Sequence, residues 1–148
     1  MPRTACGSVP TSSRPLSEPL VWLDVETVVE LHQEILEQFE GTPGLISRES
    51  LEGALARPRQ YLAYRPDADI ALLAASLCAG IIQDHAFLDG NKRTALDATF
   101  VWLASNGYQL NAPEAVDDTI VAVAQGAIDI EQLASLLSEW MTPLAPSS

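Results

Sequence analysis

The segment from Asp67 to Phe87, DADIALLAASLCAGIIQDHAF, constrains the fold of this chain more than any other. Its apolar residues lie nearly all round a helical projection, which is typical of a helix buried on every side. A chain of 148 residues is the size of one domain, and such a helix is expected at the domain's centre. The segment therefore predicts a single domain built around one central helix.

The two segments before it also have helical periodicity. DVETVVELHQEILEQF opens with Asp24 as a candidate N-cap and repeats apolar residues at helical spacing. Ser47 is placed to cap RESLEGALARP, and we expect that helix to end before Pro58, because proline breaks helix interiors. The basic, tyrosine-containing run at 57–66 is then expected to be an exposed loop.

Three more helices are predicted after the central one. KRTALDATFVWLASNG ends at a glycine C-cap, Asn106–Gly107, and is followed by PEAVDDTIVAVAQG and by DIEQLASLLSEWM, which opens at an Asp129 cap. Strand-like alternation is confined to a short piece at 108–110. The sequence therefore predicts an all-α fold, a helical bundle.

Composition divides the chain into three parts. Residues 1–19 are rich in proline and serine and predict a flexible tail, residues 20–142 form the helical domain, and residues 143–148 form a short C-terminal tail. Within the domain we expect His32 on a helix surface. The tryptophans fall on apolar faces and are expected in the core: Trp22, Trp102 and Trp140.

The charge balance excludes several classes of partner. The formal net charge is −12, which repels phosphate backbones, so we expect no direct nucleic-acid partner and no anionic membrane surface. No apolar run reaches the length of a transmembrane helix and the first residues lack a signal peptide's apolar core, so we expect a cytoplasmic protein. Of the two cysteines, Cys78 lies in the apolar central segment and is expected in the core.

The candidate site is the run HAFLDGNKRTA, residues 85–95. Gly90 permits a tight bend, and the free N–H groups at the start of the following helix attract anions. Lys92 and Arg93 add two cations, Asp89 adds an oxygen ligand of the kind Mg²⁺ takes beside phosphates, and His85 is a candidate general base.

The remaining residues of the run complete the hypothesis. Asn91 and its neighbours contribute N–H groups to the anion site, and Phe87 is the apolar anchor expected to hold the loop to the core. A P-loop is excluded because its glycine–lysine pattern is absent, and a calcium loop is excluded because its ligand positions carry unsuitable residues.

HAFLDGNKR resembles the Fic-family pattern H-x-F-x-[D/E]-G-N-G-R, and Lys92 in place of the second glycine is the form seen in the family's Doc (death on curing) toxins. LHQEILEQFEGTPGL, LEGALARP, LASNGYQL and AQGAIDIEQLASLL resemble Doc segments in the same order, so the resemblance covers about residues 20–141. It implies a Fic fold, with the motif loop between the central buried helix and the next helix.

The resemblance also implies a chemistry and a set of roles. Doc toxins transfer the γ-phosphate of ATP to a threonine of elongation factor Tu, which arrests translation. By resemblance, His85 is the base, Asp89 the Mg²⁺ ligand, and Gly90, Asn91, Lys92 and Arg93 handle phosphate. ATP and Mg²⁺ are thus the expected substrate and cofactor, and elongation factor Tu is the expected target.

Two alternatives remain open: AMP transfer, as in most Fic proteins, and an inactive module that only binds an antitoxin. Lys92 fills space that glycine leaves for phosphate, and Leu96 replaces the last arginine of the longer Fic motif, so phosphate transfer is favoured. The self-inhibitory pattern [S/T]-x-x-x-E-[G/N] is missing. Its nearest match is Ser135 with Glu139, where Trp140 takes the place of the final glycine or asparagine. Inhibition is therefore expected from a separate Phd-like antitoxin.

Overall fold

Six helices and two short strands make up the part of the chain that the structure, a computed structural model, describes: residues 20–39, 41, 43–45 and 47–144. The all-α prediction is confirmed. Residues 1–19 and 145–148 lie outside the described residues, so the predictions for the whole of the first tail and for that part of the second stay predictions. The elements are α1 (Val25–Phe39), α2 (Arg48–Tyr64), α3 (Ile70–Asp84), α4 (Asn91–Ser105), β1 (Tyr108–Leu110), α5 (Val116–Ala124), α6 (Ile130–Trp140) and β2 (Met141–Pro143).

Helix α3 is the centre of the domain, as predicted. Every residue from Ile70 to Ile82 is buried, and α2, α4, α5 and α6 all pack against it. Asp69 caps its first turn by accepting a hydrogen bond from the Leu72 N–H at 2.9 Å. A helix covered on all sides has no polar face, which explains the all-round apolar sequence.

Helix α2 contradicts the prediction that it ends before Pro58. Ser47 caps it as expected, accepting from the Ser50 N–H at 3.0 Å, but the helix continues through Pro58 to Tyr64. Pro58 costs the helix one hydrogen bond, yet its ring is buried with the other α2 residues that pack on α3. Tertiary packing therefore overrides the local signal, and most of the run at 57–66 is helix rather than loop.

Three other predicted helix ends are confirmed. Asp24 accepts from the Thr27 N–H at 2.9 Å, and hydrogen bonds from the Thr27 side chain and then from this N–H hold the pKa of the Asp24 carboxyl below its usual value. Asp129 and Gln132 form a reciprocal capping box at the start of α6. Gly107, with φ at +93°, follows the C-cap of α4, where a residue without a Cβ is favoured.

The two strands close the end of the domain. The predicted extended piece is β1, and it pairs antiparallel with β2, with Tyr108 opposite Pro143 and Leu110 opposite Met141. The Leu144 N–H also donates to the Gly107 carbonyl at 2.9 Å. Pro143 and Leu144, which we assigned to the start of the C-terminal tail, thus bond to β1 and to the residue before it. The sequence did not predict this pairing, because a strand partner some 30 positions away leaves no local signal.

The aromatic predictions are confirmed for the tryptophans and wrong for His32. Trp102 is fully buried and stacks against Trp22, with ring centroids 5.9 Å apart, while Trp22 and Trp140 are partly buried against the core. His32, expected on a helix surface, is only 3% exposed. Among the described residues, no helix combines the length and the apolarity needed to cross a membrane.

Candidate functional site

The loop between α3 and α4 begins at His85, whose backbone is left-handed. His85 has φ at +48° and ψ at +50°, forms the C-cap of α3, and is exposed. A non-glycine residue in this region stores strain, and such strain is common at functional sites. Just before it, Asp84 is paired with Arg57 of α2 at 3.0 Å, which ties the end of α3 to its neighbour.

The loop ends at Gly90, whose own φ is +81°. Gly90 is the N-cap of α4 and makes no side-chain cap bond. Asp89 accepts from the Gly90 N–H at 2.8 Å, which places its carboxylate beside the turn. The start of a helix carries partial positive charge and suits an anion.

Phe87 lies at the middle of the loop and is 1% exposed. On one side, Leu45 pairs antiparallel with Phe87: the Ser47 N–H donates to the Ala86 carbonyl at 3.1 Å and the Leu88 N–H to the Gly44 carbonyl at 3.0 Å. In this pairing the N–H and C=O of Phe87 point to the other side. The loop is thus held at its centre by an apolar ring and along one edge by backbone bonds.

Asn91 satisfies both of those Phe87 backbone groups. Its Oδ1 accepts from the Phe87 N–H at 3.1 Å, and its Nδ2 donates to the Phe87 carbonyl at 2.9 Å. The side chain is 9% exposed. The side-chain amide of Asn91 therefore shapes the loop, and the role in phosphate binding that the sequence assigned to Asn91 stays a prediction.

The charged residues of the motif open onto one cleft of about 280 Å³. From the loop and α4, the cleft is lined by Asp89, Gly90, Asn91, Lys92 and Arg93, and from α5 by Asp117, Ile120 and Val121. The structure thus brings together all predicted metal and phosphate residues. His85 is exposed at the other end of the loop and is not among the lining residues, and Phe87 lies beneath the loop.

Sequence reasoning missed the α5 wall of this cleft. Asp117 lies 3.8 Å from the Arg93 guanidinium, between their nearest side-chain atoms, while Ile120 and Val121 give that side an apolar surface. No spacing in the sequence links α5 to the motif, because the two meet only through tertiary packing, in which α4 and α5 contact each other and both pack on α3.

Two further positions on α4 bear on the chemistry. Burial raises the pKa of the Asp97 carboxyl, while the nearby Arg93 lowers it and Glu34 adds to the rise. Leu96, which replaces the last arginine of the longer Fic motif, is 5% exposed and belongs to the core. An arginine at this position would therefore have to displace core packing.

A helical domain that presents this loop between its central helix and the next belongs to the Fic-fold class of proteins. A family model described as Fic/DOC family matches residues 22–103. The chain is 31% identical over 113 residues to "Protein kinase doc" of Escherichia phage P1, which covers 76% of this chain and 89% of the phage protein. It is 40% identical over 93 residues to "Toxin Doc" of Mycolicibacterium smegmatis, covering 60% of this chain and 71% of that protein. The chain belongs to the Fic/Doc family.

Proposed function

We propose that this protein is a Doc-type toxin that transfers the γ-phosphate of ATP to a hydroxyl of a host protein. The observation that carries the proposal is the cleft in which Gly90 and the start of α4 lie together with Asp89, Lys92 and Arg93. The N–H groups of a helix start and two cations suit a polyphosphate, and phosphoryl transfer depends mainly on positioning and charge. The names of the two relatives support a toxin and a kinase.

The proposed step uses His85 as the general base. The acceptor's hydroxyl oxygen bonds to the γ-phosphorus while that phosphorus separates from the β–γ bridging oxygen. ADP leaves with the electron pair of the broken bond, and the hydroxyl proton passes to His85. His85 is exposed at the rim of the loop, which suits a base that must meet a protein substrate. Histidine is also the side chain that most often acts as a general base.

A Mg²⁺ ion fits the residues of this cleft. Asp89 supplies a carboxylate at the mouth of the anion site, and Mg²⁺ commonly takes one or two protein carboxylates and completes its shell with phosphate oxygens and water. Within the described part of the chain, no three His, Cys, Asp or Glu side chains form a metal cluster, so the nucleotide would complete the site. When bound, the ion neutralises phosphate charge.

Phosphate transfer is favoured over AMP transfer by two residues. Lys92 is exposed at the cleft, where most Fic proteins have glycine, and its side chain takes space beside the helix start. Leu96 is core, so the second arginine of the longer motif has no equivalent at that position. We further propose, by resemblance, that the target is elongation factor Tu and that a Phd-like antitoxin neutralises the protein.

The test uses ATP labelled on either the γ- or the α-phosphate, with purified protein, elongation factor Tu and Mg²⁺. Label from the γ position on the acceptor supports the proposal, and label from the α position replaces it with AMP transfer. Absence of transfer to elongation factor Tu and to lysate proteins would favour a binding module. The matched base variant is His85→Asn, because asparagine tolerates a left-handed backbone and cannot act as the base.

Lys92→Gly separates the two group transfers more sharply. We expect the variant to lose γ-phosphate transfer while it stays folded, because Lys92 is exposed. Unchanged γ-phosphate transfer would contradict the role given to the Lys92 side chain. Removing Mg²⁺ with a chelator should also abolish transfer by the parent protein, and transfer that persists would remove the metal from the proposal.

A further inference from the structure

We propose that His32 is a positioning residue that holds the Asp89 carbonyl by a hydrogen bond. This bond sets the turn at Asp89 and Gly90, and the turn places the Asp89 carboxylate and the start of α4 at the cleft. The inference rests on the proposed function for its effect on catalysis. Its structural part, that one ring fixes the turn, stands independently of any activity. His32 lies on α1, 57 residues before Asp89.

The contact between His32 and the loop is polar and buried. His32 Nε2 lies 2.7 Å from the Asp89 carbonyl oxygen. A carbonyl oxygen can only accept, so Nε2 carries the proton and donates, which fixes the tautomer whenever the ring is neutral. The ring is 3% exposed, and a hydrogen bond shielded from water is stronger and more costly to lose than an exposed one.

The same ring also contacts Phe87, two residues before Asp89, and lies next to Gly90, directly after it. It stacks on Phe87 with centroids 3.8 Å apart and planes 12° from parallel. A Cβ added at Gly90 would lie 3.6 Å from both Cδ2 and Nε2 of His32. His32 therefore touches the anchor, bonds to the residue with the candidate metal ligand, and underlies the glycine of the turn.

The carboxylate of Asp89 is coupled to this arrangement. Its Oδ1 accepts from the Gly90 N–H at 2.8 Å, so a shift of the Asp89–Gly90 peptide moves the carboxylate with it. A Cβ added at Gly41 would lie 3.2 Å from Asp89 Oδ2, so the carboxylate has little room on that side. Rotation of the turn would therefore change where the carboxylate and the first α4 N–H groups point.

The His32 ring both packs on Phe87 and hydrogen-bonds to the Asp89 carbonyl. Two variants separate these two contributions. His32→Phe keeps an aromatic ring against Phe87 and removes the donor. His32→Gln loses the ring but keeps an N–H that can reach the Asp89 carbonyl. Val28→Ala, one helical turn earlier on α1 and fully buried, is the matched control for a loss of core packing that leaves the donor in place.

The catalytic test measures kcat, the KM for ATP and the Mg²⁺ dependence, with the melting midpoint of each variant. We expect His32→Phe to lose about 10- to 100-fold in kcat and to need more Mg²⁺, because misplacing a site by about 1 Å costs on the order of 100-fold. His32→Gln should recover part of that loss, and Val28→Ala should lower the midpoint with kcat near the parent value. Parent-like kcat in His32→Phe, or equal losses in the Phe and Gln variants, would overturn the proposal.

A spectroscopic test needs no activity, and so separates this inference from the proposed function. The chain has two histidines, so a ¹⁵N-histidine spectrum of the His85→Asn variant reports His32 alone. We expect a slowly exchanging Nε2–H signal, and in His32→Phe a faster exchange of the Gly90 amide. A rapidly exchanging ring proton, or a Gly90 amide that is unchanged in His32→Phe, refutes the positioning role even if the parent protein transfers phosphate.

Discussion

Replacing Asn91 with leucine tests how far the loop depends on a single side chain. Leucine has the same number and branching of side-chain heavy atoms, so the variant removes both hydrogen bonds to Phe87 without leaving a cavity. The Phe87 N–H and C=O then face an apolar side chain, since Gly44 and Ser47 bond to the neighbours of Phe87 instead. The loss is therefore electrostatic rather than steric.

The expected magnitude follows from these two bonds. A buried polar group that loses its partner costs about 1–3 kcal/mol. For two such groups at the edge of the domain we expect about 2–4 kcal/mol, since water can reach part of the loop once it opens. At about tenfold for each 1.4 kcal/mol, the loop should open roughly 30- to 1,000-fold more often.

Amide exchange at Phe87, together with urea unfolding, measures this effect. The control is Asn111→Leu, because the Asn111 amide bonds to Thr142 in an exposed position and its loss should change stability by less than about 0.5 kcal/mol. Phosphate transfer should fall in Asn91→Leu and persist in the control. Phe87 exchange and unfolding free energy that match the parent protein would refute the view that Asn91 shapes the loop.

Three further predictions concern the turn, the core thiol and α4. Gly90→Ala should destabilise the protein by about 1–2 kcal/mol through its left-handed backbone, since the new Cβ makes only ordinary contact with His32; an unchanged urea midpoint would contradict this. Burial raises the pKa of the Cys78 thiol to about 11, so in a Cys6→Ser background Ellman's reagent at pH 8 should react only as fast as the protein unfolds, and rapid labelling of the folded state would count against it. Asp97→Asn should stabilise the protein at pH 7 by less than about 1 kcal/mol, because burial raises the pKa of the Asp97 carboxyl in the folded state, so the parent protein loses stability as this carboxyl ionises with rising pH. That gain should vanish below about pH 4, where the parent carboxyl is protonated in both states, and a gain independent of pH would rule out desolvation as its cause.

Much of the fold was predictable because its signals are local. Caps such as Asp24 and Asp129 act within three residues, and helical periodicity is read within one segment. The motif likewise places Asp89, Gly90, Lys92 and Arg93 at one helix start, so the sequence predicted that they would share a site. Their roles in catalysis stay predictions.

By itself, the sequence determined the helices, the buried central element and the position of the motif loop between two helices. The tertiary structure decided that α2 continues through Pro58, that β2 pairs with β1, and that His32 is buried beneath the loop. Each of these depends on groups that are distant in the chain, as in the contact of His32 with Asp89 across 57 residues. Local propensities amount to about 1 kcal/mol or less for most residues and about 3 kcal/mol for a proline inside a helix. Burial of each apolar side chain contributes about 1.5–3 kcal/mol, so the several buried side chains of α2 together outweigh the cost of Pro58.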